Sequence, residues 1–189
     1  MKHIAIFASG SGSNAENIAR HFEKSEVARV SLIFCNNPKA GVIARAQRLH
    51  IPCRVFSRKD FYESDSVIQQ LRDAKTDLIV LAGFLWLVPE QLIEAFRGKI
   101  INIHPALLPG VGGKGMYGMK VHETVLQNGA SESGITIHYV NEIFDAGEII
   151  FKAECPVDPG DTPETLAAKI HELEYKHYPA VIEKLLSAE

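Results

Sequence analysis

The 189-residue sequence predicts an α/β domain: a mostly parallel twisted sheet of about seven strands with helices on both faces. Three observations predict it. Short apolar runs alternate with segments of helical period through the first hundred residues, which implies parallel strands joined by right-handed crossovers. A composition of 46% hydrophobic and 23% charged residues supplies a true core for a single domain over residues 1–189. Cys35, Cys53 and Cys155 are odd in number, far apart and outside any Cys-x-x-Cys pattern, so neither a disulfide framework nor a zinc site is expected.

The elements follow in order. Lys2 to Ala8 reads as the first, central strand, and the turn Ser9-Gly-Ser-Gly-Ser-Asn14 leads into a helix starting near Asn14. Two glycines let that backbone approach a ligand, and the helix start aims free N–H groups at an anion, with phosphate the expected guest. Gly10, Gly12 and Ala15 also fit the loose G-x-G-x-x-A dinucleotide pattern. The next strand, Arg29 to Cys35, ends in Asn36-Asn37-Pro38 and offers no acidic residue for a ribose hydroxyl, so a single phosphomonoester is preferred. Gly41 to His50 has helical spacing, Ile51 to Phe56 reads as a strand, Phe61 to Ala74 as one amphipathic helix, and Leu78 to Ala82 as a buried strand closed by Gly83. Phe84 to Glu90 is too apolar for an exposed loop and is expected in the core or along an apolar pocket. Pro89 then starts a helix to Phe96.

Lys99 to Pro109, KIINIHPALLP, is the stretch on which the chemistry is expected. Asn102 and His104 lie two residues apart on one face of a strand, and Pro105 ends the ladder at the carboxyl edge, where open α/β sheets bind ligands. The alternative is a helix-capping Asn and a core His at a strand end. Gly110 to Gly118 is read as a mobile segment, either a connector or a lid; it is no Walker loop, since Lys114 is followed by Gly115. Met119 to Asn128 is helical. Ser133 to Val140 alternates as a strand, with Ile135, Ile137 and Tyr139 on one face and Thr136 and His138 on the other. Asp145 sits in the loop Asn141 to Glu148, Glu148 to Ala153 is the seventh strand, and a helix capped by Thr162 runs from Pro163 to about Leu186, kinked or divided at Pro179.

A formal charge of −3 and a pI near 6.2 give no support for a nucleic-acid surface. No apolar run reaches the roughly 20 residues of a membrane span, and the chain enters a strand within three residues of Met1, so a cytoplasmic protein without signal peptide or membrane partner is expected. The oligomeric state is left open.

Taken together and in order, Ser9 to Asn14, Leu81-Ala-Gly-Phe84, Asn102-Ile-His-Pro-Ala-Leu-Leu-Pro109 and Asp145-Ala-Gly-Glu148 closely resemble the phosphoribosylglycinamide formyltransferases. The resemblance implies a Rossmann-like formyltransferase fold. It also implies transfer of a formyl group from 10-formyltetrahydrofolate to the amine of glycinamide ribonucleotide in purine biosynthesis, through a tetrahedral intermediate and with no metal. By residue, it implies Asn102, His104 and Asp145 as catalytic, and Gly12, Ser13, Asn14 and Glu174 at the ribonucleotide. For the folate it implies Leu85, Trp86, Leu87 and Val88, with Asn102 and the loop residues Asn141, Glu142, Ile143, Phe144 and Asp145. A carboxylate beside His104 is expected to raise its pKa and favour imidazolium. Trp86 stands where many members of the family have Arg, and the glycine-rich segment is longer than the usual family loop. Methionyl-tRNA formyltransferase and formyltetrahydrofolate deformylase are the near rivals and carry an extra domain. A nucleotide-binding module or dinucleotide oxidoreductase is the rival from another class.

Overall fold

The computed structural model describes residues 1–188. Five strands, β1 (Lys2–Ala8), β2 (Ala28–Cys35), β3 (Cys53–Val55), β4 (Leu78–Leu81) and β5 (Ile100–His104), pair in parallel. Strands β6 (Glu132–Tyr139) and β7 (Ile149–Pro156) complete the sheet antiparallel, in the spatial order β3-β2-β1-β4-β5-β6-β7. The helices are α1 (Ser13–His21), α2 (Gly41–Arg48), α3 (Arg58–Tyr62), α4 (Ser66–Asp73), α5 (Glu90–Ala95), α6 (Met119–Gln127) and α7 (Pro163–Ser187).

The period-2 alternation of the strands divides the interior into two cores. Ile4, Ile6 and Ala8 of β1 pack with α1, α2, α6 and α7, while Ala5 and Phe7 pack on the other face with α3, α4 and α5. Tyr178 fastens α7 to the sheet: it is fully buried, and its hydroxyl donates to the Leu81 carbonyl at 2.9 Å. Thr162 caps α7 as expected, but Pro179 does not divide it.

One predicted helix is two. Ser57 and Asp60 form a reciprocal capping box that starts α3 at Arg58. The Ser64 hydroxyl then donates to the Asp60 carbonyl and accepts from the Ser66 N–H, so side-chain hydrogen bonds interrupt the helical ladder around residues 64–66. Phe61 therefore belongs to the shorter, first piece.

Strand order reverses between β1 and β4. A crevice at the carboxyl ends of those strands is the usual ligand position in such sheets, and here it opens between the loops that follow β1 and β4.

Candidate active site

A cavity of about 730 Å³ occupies that crevice. The wall that carries Asn102 and His104 is set by strand register. Ile101 and Ile103 face the first core, which turns Asn102 and His104 to the opposite side, and antiparallel pairing puts His138 opposite Asn102 and Thr136 opposite His104. Thr136 pins the turn beyond the strand: its Oγ1 donates to the Ala106 carbonyl at 2.8 Å and accepts from the Leu108 N–H at 3.0 Å.

Asp145 reaches the same wall from the β6–β7 loop. It holds a left-handed backbone (φ 55°), a conformation that costs a non-glycine residue of order 1 kcal/mol or more and persists where the surroundings impose it. The surroundings here are close: an added Cβ on Gly147 would lie 1.6 Å from the Tyr139 carbonyl oxygen, so the loop can hug β6 only with glycine there. Asp145 Oδ2 accepts from the Gly113 N–H at 2.9 Å and lies 3.5 Å from His104 Nδ1.

The hydrogen bonds assign the protons. His104 Nε2 lies 2.7 Å from the Val111 carbonyl, which can only accept, so Nε2 is protonated. His138 Nδ1 likewise donates to the Tyr139 carbonyl at 2.8 Å, and in the neutral ring Nε2 accepts from Asn102 Nδ2 at 3.2 Å. His138 thereby fixes which end of the Asn102 amide is the donor.

Charge follows burial. His104 is 3% exposed. Burial, the largest influence, pushes its pKa below the ordinary 6.5, and the pull of Asp145 and the Val111 carbonyl in the other direction does not offset it. The expected rise is corrected to a net fall, which favours the neutral ring. For Asp145 burial alone would raise the pKa, but the neighbouring His138 and His104 rings and the Gly113 amide together carry it below the usual carboxylate value.

The far end of the cavity is lined by Gly12, Ser13, Asn14 and Glu174. Among the described residues, no acceptor faces the backbone N–H groups of Ser11 to Asn14, the arrangement that favours an anion. Glu174, 5% exposed, accepts from Asn14 Nδ2 at 2.9 Å and from His171 Nδ1 at 3.0 Å, which joins α1 to α7. Asn14 Oδ1 and His122 Nδ1 are buried there without a partner among the described residues.

Leu85, Trp86, Leu87, Val88, Asn141, Ile143 and Phe144 line the open side. Leu85, Leu87 and Ile143 are exposed apolar side chains, whereas Val88 is buried in the second core. Glu142 does not reach the cavity. The Asn141 side chain accepts from the Ile143 N–H at 3.0 Å, and the resulting tight turn leaves Glu142 exposed at its tip. Trp86 packs edge-on against Phe56 at 5.9 Å and lies under the Arg58 guanidinium, so one side of the ring serves the core. The glycine-rich segment is tied into the site through Val111 and Gly113, and its residues 113–119 line the cavity.

Among the histidines of the lining, sequence reasoning missed three: His138, His122 and His171. His138 had a signal, since it shares a strand face with Thr136; its register against Asn102 had none.

A Rossmann-like sheet with an amide, an imidazole and a carboxylate at its carboxyl edge, facing a loop whose amides have no acceptor among the described residues, fits a group-transfer enzyme, and the formyl transferase family profile matches residues 2–182. The chain is 42% identical to the phosphoribosylglycinamide formyltransferase of Bacillus subtilis (strain 168), over 98% of this chain and 95% of that protein. It is 36% identical to the Haemophilus influenzae enzyme of the same name, over 96% and 86%. The crystal structure of phosphoribosylglycinamide formyltransferase from Bacillus halodurans superposes with a TM-score of 0.89 at 38% identity, covering 100% of this chain and 97% of that one. The chain belongs to the phosphoribosylglycinamide formyltransferase family.

Proposed function

We propose that this chain carries out its family's reaction through Asn102, His104 and Asp145, as one formyltransferase domain over residues 1–189, in the cytoplasm. The reaction moves the formyl group of 10-formyltetrahydrofolate to the primary amine of glycinamide ribonucleotide. The observation that carries this reading is the convergence of those three side chains on one wall of a cavity whose far end presents amides that are unpaired among the described residues.

The co-substrate supplies an activated formyl group. The amine–carbon bond forms, the bond from that carbon to the folate nitrogen breaks, and one proton moves from the amine to the departing nitrogen. Asn102 has two amide hydrogens; His138 takes one, and the other is free for the oxygen that becomes an oxyanion. Neutral His104 has its open nitrogen, Nδ1, on the Asp145 side and collects the proton shed by the amine. The resulting imidazolium lies between Asp145 and the Val111 carbonyl, both of which favour it, and its Nδ1–H is the proton source for the leaving nitrogen. Burial that keeps the resting ring neutral thus leaves it able to act as a base first.

Gly12, Ser13 and Asn14 hold the phosphate, and Glu174 keeps Oε1 for a ribose hydroxyl while Oε2 is engaged by Asn14 and His171. The exposed apolar edge formed by Leu85, Leu87 and Ile143, with Trp86, Val88, Asn141 and Phe144, suits the flat pterin. Absorbance at the folate, followed with both substrates present, tests the reading. Turnover should require the ribonucleotide; equal turnover without it would mean hydrolysis of the co-substrate, and none with it would refute the assignment.

A further inference from the structure

Arg45 lies outside the cavity lining, yet it grips the loop that is read above as the phosphate site. Two successive carbonyls of that loop are held by α2, and the next accepts the first helical bond of α1. Gly10 O accepts from Val42 N at 3.1 Å, Ser11 O from Arg45 Nε at 2.8 Å, and Gly12 O from Glu16 N at 2.9 Å. In a planar trans peptide the carbonyl of one residue and the N–H of the next point in opposite directions. Arg45 therefore fixes the Ser11–Gly12 peptide plane with the Gly12 N–H turned away from α2. The guanidinium is held at a second point, where its Nη1 donates to Glu16 Oε2 in the first turn of α1. Glu16 also receives Arg20 at 2.7 Å and has Arg48 at 3.7 Å, so three guanidinium groups surround one carboxylate just behind the loop.

We propose that Arg45 is a positioning residue for the phosphomonoester end of the amine substrate: it clamps Ser11 O and Glu16 at once and so keeps the amides of the loop converging on one anion. The inference rests on the assignment of that loop to phosphate. Backbone geometry is its mechanism, and the surrounding positive charge is secondary. Lysine cannot replace arginine here, since a single ammonium does not reproduce two fixed, divergent donors.

The test compares Arg45→Met, Arg45→Lys and Arg48→Met by steady-state kinetics, with inorganic phosphate as a competitive probe. Arg45→Met should raise KM for glycinamide ribonucleotide about tenfold or more, and the phosphate inhibition constant by a similar factor, with kcat and the folate KM within about twofold. Arg45→Lys should recover little of the loss, and Arg48→Met, whose one ion pair among the described residues is with Glu16, should change KM by less than about threefold. Full rescue by Arg45→Lys together with an equal loss in Arg48→Met would show a charge effect alone and overturn the proposal. So would a lowered Tm in Arg45→Met with an unchanged phosphate inhibition constant. Phosphate that fails to compete in the parent protein refutes the phosphate site and this proposal with it; phosphate that competes equally in parent and Arg45→Met refutes only the role of Arg45.

Discussion

Replacing Asp145 by Asn removes one negative charge while keeping side-chain shape and an acceptor for the Gly113 N–H. The charge sits 3.5 Å from His104 Nδ1, and the two side chains are only 4% and 11% exposed. At an effective dielectric constant of about 20, full charges at 3.5 Å interact by on the order of 5 kcal/mol. Each 1.4 kcal/mol of barrier is about tenfold in rate, so the ceiling on the kinetic effect is roughly three orders of magnitude. The interaction is present in full only when His104 has taken up its proton, and the loss should therefore fall on kcat. We expect kcat to drop about 100- to 1000-fold, with KM for glycinamide ribonucleotide within a few-fold. Since Asp145 pulls the His104 pKa upward against burial, imidazole resonances followed by NMR should titrate lower in Asp145→Asn than in the parent. Parent-like kcat, or a His104 titration that does not move, would refute the argument that the carboxylate works through the imidazole.

Other expectations follow from the same geometry. Asn102→Ala should lower kcat by about two to four orders of magnitude while phosphate competition survives, and near-normal turnover would remove Asn102 from the catalytic set. His138→Phe should reduce kcat at least about tenfold in stopped assays, because Asn102 loses the acceptor that orients it; an unaffected kcat would show that the amide is held by other means. Trp86 emission should change with saturation on titrating a folate analogue and much less with the ribonucleotide. A Trp86→Phe protein with intact folate affinity, combined with unresponsive emission in the parent, would make the ring a core residue only. His104 and His122 are both held below 6.5 mainly by burial, so the unfolded chain binds more protons than the folded one as pH falls through 6.5. Their contribution to stability is complete above that value and is lost below it, so Tm measured by calorimetry should fall between pH 7 and 5.5; His171, raised by its bond to Glu174, acts in the opposite sense. A Tm that rises across the same interval would contradict the buried, neutral assignment.

The sequence by itself determined the elements and their inward faces, because apolar periodicity, glycine turns and capping residues act over a few neighbours. The strands from Lys2 to His104, the start of α1 and the Thr162 cap are local in this sense. It also placed Asn102 and His104 on one face, since that needs only the period of a strand. The antiparallel entry of β6 is a different matter: it sets His138 against Asn102 across 36 residues, and nothing in either strand's pattern fixes that register. The division of the predicted Phe61 to Ala74 helix was decided by serine hydroxyls whose backbone bonds compete with the ladder. The direction of the His104 pKa shift was decided in space. A carboxylate motif predicts a raised pKa, but how far the ring is removed from water depends on everything packed around it, and burial outweighs a partner 3.5 Å away. Glu142 shows the same limit from the other side, since its neighbours reach the cavity and one turn points it into solvent. Short-range chemistry is written along the chain; desolvation and cross-strand register exist only once the chain has closed on itself.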